Sequence, residues 1–358
     1  MIKSKLDVFL DETLFYQDLP GLAVGISIGE KSKNKYKGLN YKNTVGYKDY
    51  ITKEELKPEH IFHMASVTKL FVGTAIMQLI EAGKISLETK AVEILPWLFI
   101  EDPRHLEIRV KDLLSHTAGL GDVNDYGWDK PEVDEGALRR YIESAEVSKT
   151  RMLWAPGTGK FQYSNIGYEM LGAIISQISG MSFEEYVTEN IFATLGMNDS
   201  GLLTFERGSG SMQLEDLAQA GMVMPHKKDR KNHIIHEPFY PYNREHGPSS
   251  TLTTNVRDME IWAKVHLNKS FLNEESYEKI WRKEASVPNN GEYIGLSWFI
   301  REQNGYTLYG HEGNDDGFRA SFWICPALDM HIVVAANMTK APVKKINKSV
   351  FDILTKNI

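Results

Sequence analysis

Three short groups of residues have the types and spacing that covalent hydrolysis needs. The first is Ser66-Val67-Thr68-Lys69. A serine hydroxyl is a weak nucleophile until a neighbouring base takes its proton. At positions i and i+3 of a helix, serine and lysine share a face, so the amine can reach the hydroxyl. The same spacing recurs at Ser32 to Lys35 and Ser276 to Lys279, but those lie in a charged loop and a charged, exposed-looking helix. Only Ser66 opens a strongly apolar helical stretch, where free backbone N–H groups favour developing negative charge. The competing explanation is a helix N-cap serine beside a solvated lysine.

The second group is Tyr163-Ser164-Asn165. A tyrosine beside a lysine ionises more easily and can relay a proton between nucleophile and leaving group. Asn165 offers an amide to hold the lysine or a substrate carbonyl. Tyr41-Lys42-Asn43 matches the same pattern, and a core tyrosine with a tethered hydroxyl would look alike. The third group is His311-Glu312-Gly313, on an expected strand. Side chains alternate on a strand, so His311 and Glu312 should face opposite ways. Gly313 would let a substrate backbone come close. The N–H of Asn314 would then join that of Ser66 as an oxyanion donor. Taken alone, His311 reads as an ordinary strand histidine.

These groups need a frame. Periodicity predicts a first helix over about 4–16, a strand over 22–28, another near 44–47, and a clear amphipathic helix over 66–82 closed by Gly83. Helices are expected over 110–114, 136–144, 167–179, 183–195 and 257–266. From His226 to Ser250 the chain is polar and proline-bearing without a clean period, which reads as a long surface loop or insertion. Short β-like runs follow over 294–300, 306–309, 318–324 and 331–336, an antiparallel meander, and a helix over 343–355. Strands at both ends with helices between imply an α/β (α+β) fold. One antiparallel sheet is built from N- and C-terminal segments and packs beside a mostly helical lobe, with a cleft between them.

Composition excludes several alternatives. The 358 residues suffice for one large domain or two lobes. A net charge of −7 without a basic stripe argues against nucleic acid and against charge-driven membrane binding. The single cysteine, Cys325, sits in an apolar run and reads as packing. No stretch is long enough to span a membrane, and no signal-peptide core is visible, so a cytoplasmic protein is expected. His226, His233, His236 and His246 lack the pairing of a zinc site and read as a solvated loop. His116 reads as structural. Trp97, Trp128, Trp154 and Trp298 either line a pocket or pack. No metal or organic cofactor is expected.

Together, the three groups and their order resemble the serine β-lactamase and penicillin-binding protein superfamily, in which Ser-x-x-Lys is a signature. The closer likeness is to its class C-like branch of esterases and D-amino-acid-specific peptidases. It covers most of the chain: Phe62 to Lys69, Leu113 to Leu120, Pro156 through Asn165 to Gly172, and Gly310-His311-Glu312-Gly313, which falls where many members carry Lys-Thr-Gly. The resemblance implies two lobes, 1–65 with 285–358 and a mainly helical 66–284, with Ser66 at their junction. It implies acylation of Ser66 and then hydrolysis by water. Lys69 with Tyr163 would remove the proton, with the base left open between them. Asn165 would orient, and His311 would polarise or position the substrate. A small ester, amide or short peptide is the implied substrate. A β-lactamase, a D,D-carboxypeptidase, or a penicillin-binding sensor or scaffold without turnover are the alternatives. Where a lysine would hold a substrate carboxylate, His311 should be only partly charged at pH 7. Asp315 and Asp316 should make that rim more negative, disfavouring anionic β-lactams.

Overall fold

A computed structural model describes residues 2–204 and 221–356. Its frame is a nine-stranded antiparallel sheet. The N-terminal part supplies β1 (Gly21–Ile28), β2 (Asn40–Asp49) and β3 (Glu54–Glu55). The C-terminal part supplies β4 (Ala285–Ser286), β5 (Tyr293–Ile294), β6 (Phe299–Gln303), β7 (Tyr306–Asp315), β8 (Phe318–Cys325) and β9 (Met330–Ala336). The order is β3-β2-β1-β9-β8-β7-β6-β5-β4, so the two ends of the chain meet where β1 pairs with β9. This is the mixed α/β arrangement with one antiparallel sheet that the strand pattern predicts.

Both faces of the sheet are covered, as strict alternation requires of strands buried throughout. Leu22, Val24 and Ile26 of β1, with Ile332 and Val334 of β9, pack on one side against α1 (Ile2–Gln17) and the last helix, through Leu6, Leu10, Val350, Phe351 and Leu354. Ala23, Val333, Ala335, Ala320 and Phe322 point the other way, into the core shared with the helical body. Each large aliphatic side chain buried this way contributes about 1.5–3 kcal/mol.

Two helices organise the helical body: α2 (Thr68–Glu81), buried from Thr68 to Met77, and α3 (Asn165–Ser179), buried from Asn165 to Ile175. Phe71 of α2 stacks on Trp262 of α4 (Val256–Leu267) with ring centroids 4.0 Å apart. The last helix, α5, runs over Val343–Thr355 as expected. Cys325 is buried, and burial pushes its thiol up to about 11, in keeping with a packing role.

Four local expectations need correction. Ser66 sits in a 3-10 turn, Ala65–Val67, and the α-helix begins only at Thr68. Ala65 at φ 48° turns the chain sharply out of the short strand Phe62–His63, which leaves no room for a helical start. The run 183–195 is an α-helix over Phe183–Val187 that continues as a π-helix over Thr188–Ala193. The run 294–300 is two strands, because Ser297 at φ 69° breaks it.

The segment 226–250 is no plain surface loop. It forms a small hairpin, His226–Lys228 with Ile234–His236, then a short helix Gly247–Ser250 that penetrates the core. All four of its histidines lie beside carboxylates: His236 Nε2 donates to Asp49 Oδ1 at 2.8 Å, His226 Nε2 lies 3.5 Å from the same oxygen, His246 Nδ1 lies 3.2 Å from Glu169 Oε1, and His233 Nδ1 lies 3.4 Å from Asp229 Oδ2. Only His233 remains solvated.

Candidate active site

Ser66 lines a cavity of about 350 Å³. The sequence candidates Tyr163, Asn165, His311 and Asn314 line the same cavity. Lys69, fully buried, reaches it from beneath and donates to Ser66 Oγ at 3.0 Å. The turn at Ala65 makes this possible by placing Ser66 one step before α2 and Lys69 in its first turn. Val67 is the first residue of the turn whose N–H is bonded, to Met64 O at 3.1 Å. The Ser66 N–H thus precedes the first bonded donor, one of the free N–H groups of a helix start.

Lys69 Nζ makes three contacts: Ser66 Oγ, Asn165 Oδ1 at 2.7 Å and the backbone carbonyl of Ser249 at 2.8 Å. Burial pulls its amine down to about 8, while the charges of Glu169, Asp122 and Asp315 partly hold the proton on. Asn165 is itself oriented: its amide donates to Asp122 Oδ1 at 3.0 Å and to the Tyr126 hydroxyl at 2.6 Å, and its own N–H bonds Asp122 at 2.7 Å.

Tyr163 hydrogen-bonds the Ser66 side chain, and its ring centroid lies 5.1 Å from Lys69 Nζ. The expected easing of its ionisation is reversed. Burial drives the phenol well above its usual value, more than its bond with Ser66 lowers it, so it stays protonated at neutral pH. His116 has the structural part assigned to it. Its Nδ1 accepts the Ser164 N–H at 3.1 Å and its ring stacks on Tyr163 at 4.3 Å. Burial keeps this imidazole neutral.

On β7, alternation sends His311 toward Tyr163 and Phe299, at ring distances of 6.3 and 5.0 Å. Glu312 leaves the opposite face of the strand, accepts from Trp323 Nε1 at 2.7 Å, and also borders the cavity. His311 is not the partly charged group expected. Burial first, then the nearby Lys69 charge, push it down to about 3, outweighing its 2.6 Å contact with the Glu312 carbonyl. Nor do the aspartates charge the rim. Asp315 is buried, accepting from His63 Nε2 at 2.7 Å and from the Ser250 hydroxyl, and neither Asp315 nor Asp316 lines the cavity.

Gly313 serves a purpose other than substrate approach. A Cβ there would lie 2.2 Å from the Met64 carbonyl oxygen, so the neighbour that needs the space is the chain itself. The two-residue turn Asp316-Gly317 makes Asp315 and Phe318 the bonded closing pair of β7 and β8. Alternation from that pair points the Asn314 N–H away from β8. Beyond Gly310 no β6 residue pairs with β7, so this donor opens onto the cavity.

Several residues of the site carry no sequence signal: Asp122, Tyr126, Glu169, Ser249, and the wall formed by Phe161, Phe299, Val287, Glu292 and Lys344. Lys344 is paired with Glu292, at 2.7 and 2.8 Å from its two oxygens. None of Trp97, Trp128, Trp154 and Trp298 lines this cavity; Trp298, for one, packs among Phe322 and His266. Among the described residues one group could hold a metal ion, Asp49, His226 and His236. Its lone pairs are in use, since the Tyr50 N–H donates to His226 Nε2 at 3.1 Å and the Ile51 N–H to Asp49 Oδ1 at 2.8 Å. The group therefore reads as a hydrogen-bonded clasp between the hairpin and β2.

The Beta-lactamase family model matches residues 6–355, and the chain belongs to that family, within the serine β-lactamase and penicillin-binding protein superfamily. Protein flp of Staphylococcus aureus (strain MW2) is 24% identical over 351 residues, 96% of this chain. The chain spans 65% of the length of that relative. The octameric penicillin-binding protein homologue from Pyrococcus abyssi superposes with a TM-score of 0.80 at 23% identity, covering 98% of this chain and 77% of that one. The D-amino acid amidase from Ochrobactrum anthropi SV3, complexed with L-phenylalanine amide, gives 0.78 at 17% identity, covering 99% and 98%. These likenesses establish a β-lactamase-like fold. No helix among the described residues is long and apolar enough to cross a membrane.

Proposed function

We propose that the protein cleaves an ester or amide bond through an acyl-enzyme on Ser66, with Lys69 as the base. The observation that carries this is the set of three contacts around Lys69 Nζ. An ammonium donates to all three. A neutral amine keeps two N–H groups for Asn165 Oδ1 and Ser249 O, which cannot donate back. Its lone pair then faces the one partner that can, the Ser66 hydroxyl. With its proton affinity lowered to about 8, roughly a tenth of Lys69 is neutral at pH 7.

In the forward step the Ser66 proton passes to Lys69 and Oγ bonds the carbonyl carbon. The N–H groups of Ser66 and Asn314 stabilise the oxyanion. Collapse expels the alcohol or amine, which takes a proton from the Tyr163 phenol, and Lys69 restores that proton. Water then attacks the acyl ester, losing its proton by the same route. The two lobes proposed from the sequence, 1–65 with 285–358 and 66–284, meet at Ser66 on this reading.

The cavity wall favours neutral or amine-bearing substrates. His311 is uncharged where a lysine would hold a carboxylate, and Phe161, Phe299 and Val287 offer apolar contacts. The cation that does line the cavity, Lys344, is already paired with Glu292. The amidase neighbour makes amino acid amides the first class to try. The penicillin-binding relatives favour a second reading, a β-lactamase or D,D-carboxypeptidase. A cytoplasmic place of work belongs to the same proposal, to be checked by cell fractionation.

The test is parallel turnover of p-nitrophenyl acetate and butyrate, a D-amino-acid p-nitroanilide and nitrocefin by wild type and Ser66→Ala. Ester or anilide turnover lost in the variant, with nitrocefin nearly untouched, supports the proposal. Fast nitrocefin hydrolysis selects the second reading, and no turnover of anything points to a sensor or scaffold.

A further inference from the structure

We propose that Glu169 is a positioning residue for Lys69: through Ser249 it fixes where the amine sits, and its buried negative charge steadies the ammonium form. This rests on the acyl-enzyme reading of Ser66. Asn165 and Glu169 stand four residues apart on α3, so their side chains leave one face a turn apart. Asn165 takes Lys69 Nζ directly at 2.7 Å. Glu169 reaches it through one relay. Its Oε1 accepts the Ser249 hydroxyl at 2.6 Å, and the Ser249 carbonyl accepts from Lys69 at 2.8 Å.

The relay is built to stay in place. The Ser249 hydroxyl also lies 3.2 Å from the His246 carbonyl, and His246 Nδ1 lies 3.2 Å from the same Glu169 oxygen. Pro248 packs so closely on α3 that a Cβ at Gly172 would meet its ring at 2.1 Å. Glu169 and Ser249 are 0% exposed and His246 is 2% exposed. Carboxylates are costly to bury without compensation: burial raises the Glu169 carboxyl above its usual range, while His246, the Ser249 hydroxyl and the Lys69 charge favour its ionised form, and Oε2 has no hydrogen-bond partner among the described residues.

The titratable groups around Lys69 come from every element packed on it. They are Glu169 and Tyr168 of α3, Tyr163 before it, and His116, Asp122 and Tyr126 of the preceding segment. His246 precedes the short helix Gly247–Ser250, His311 and Asp315 lie on β7, and His63 is bonded to Asp315. Of the three carboxylates that hold the Lys69 proton on, Glu169 acts most strongly, against the larger opposing effect of burial.

The experiment is the rate of covalent labelling of Ser66 by a fluorophosphonate probe, from about pH 5 to about pH 10, in wild type, Ser66→Ala, Glu169→Gln and Ser249→Ala. Glutamine keeps an acceptor for Ser249 but removes the charge. Its labelling curve should reach a similar plateau with the midpoint displaced to lower pH, by on the order of one unit. An unmoved midpoint in a variant that unfolds at the wild-type temperature overturns the proposal. Should Glu169→Gln fail to fold, Ser249→Ala cuts the same hydrogen bond from the other side. A severalfold lower plateau supports the relay and an unchanged plateau overturns it. Failure of the underlying reading looks different: wild type is then unlabelled, or Ser66→Ala is labelled equally well.

Discussion

Met64 and Gly313 touch backbone to backbone, with the Met64 carbonyl oxygen 2.2 Å from where a Cβ on residue 313 would stand. The contact fixes the turn that carries Ser66 against the strand that carries His311 and Asn314. Gly313→Ala must prise the two apart. It should cost about 2 kcal/mol or more in urea unfolding, and lower labelling of Ser66 beyond what the unfolded fraction explains. A variant with wild-type stability and labelling rate would contradict this account of the glycine.

Ser66→Ala should leave thermal unfolding nearly unchanged, because among the described residues the hydroxyl bonds only Lys69 and Tyr163. Turnover should fall to background in the same preparation. Residual turnover near the wild-type rate would place the nucleophile elsewhere.

The pH dependence of acylation follows from Lys69. Its ammonium cannot accept the serine proton, so the rate should rise with pH and level off above a midpoint near 8, the value to which burial lowers it. The sign matters: a base lowered from its ordinary range becomes competent at lower pH than a solvated lysine would. A rate that is flat from about pH 6 to about pH 10 would remove Lys69 from the role of base.

His311→Lys would put a second ammonium in the cavity. Turnover of carboxylate-bearing β-lactams such as nitrocefin should increase, and the added charge should displace the Lys69 midpoint to lower pH still. The variant should also be less stable, since the site is buried between Tyr163 and Phe299. Unchanged nitrocefin turnover in a folded variant would mean that residue 311 does not set the preference.

Stability itself should fall on acidification. His266, His311 and His331 are buried and held neutral, each lowered to about 3. In the unfolded chain they titrate near 6.5. The unfolded state therefore binds extra protons between those values. The stabilisation is fully present above about pH 6.5 and is lost as pH falls toward 3, by up to about 1.4 kcal/mol per pH unit for each group. Urea midpoints that stay level across this window would show that these imidazoles accept protons in the folded state.

The chemistry was legible where it was local. Ser66 and Lys69 are three residues apart, and Tyr163 and Asn165 two apart, so spacing marks each pair, although the pairs themselves meet across 96 positions, at Lys69 and Asn165. Alternation on β7 placed His311 opposite Glu312. What escaped the sequence came from distance. Ser249 meets Lys69 across 180 positions, and Glu169 and Asp122 matter only once α3 is packed. The charge at the rim is hidden from the sequence for the same reason. Asp315 is turned inward by His63, a partner 252 positions away. The segment 226–250 reads as a loop because its polar residues find partners in distant parts of the chain, at Asp49, Glu169 and Asp315, which composition cannot reveal.

The pairing of β1 with β9 has a consequence for synthesis. Residues 22–28 wait for 330–336 before the centre of the sheet can close, and β7, which locks the Ser66 turn, lies between β6 and β8. Contacts so distant along the chain form slowly and late. A nascent chain halted before β7 emerges from the ribosome would hold Ser66, Lys69, Tyr163 and Asn165 but lack the strand that clamps them, and so should be unable to acylate.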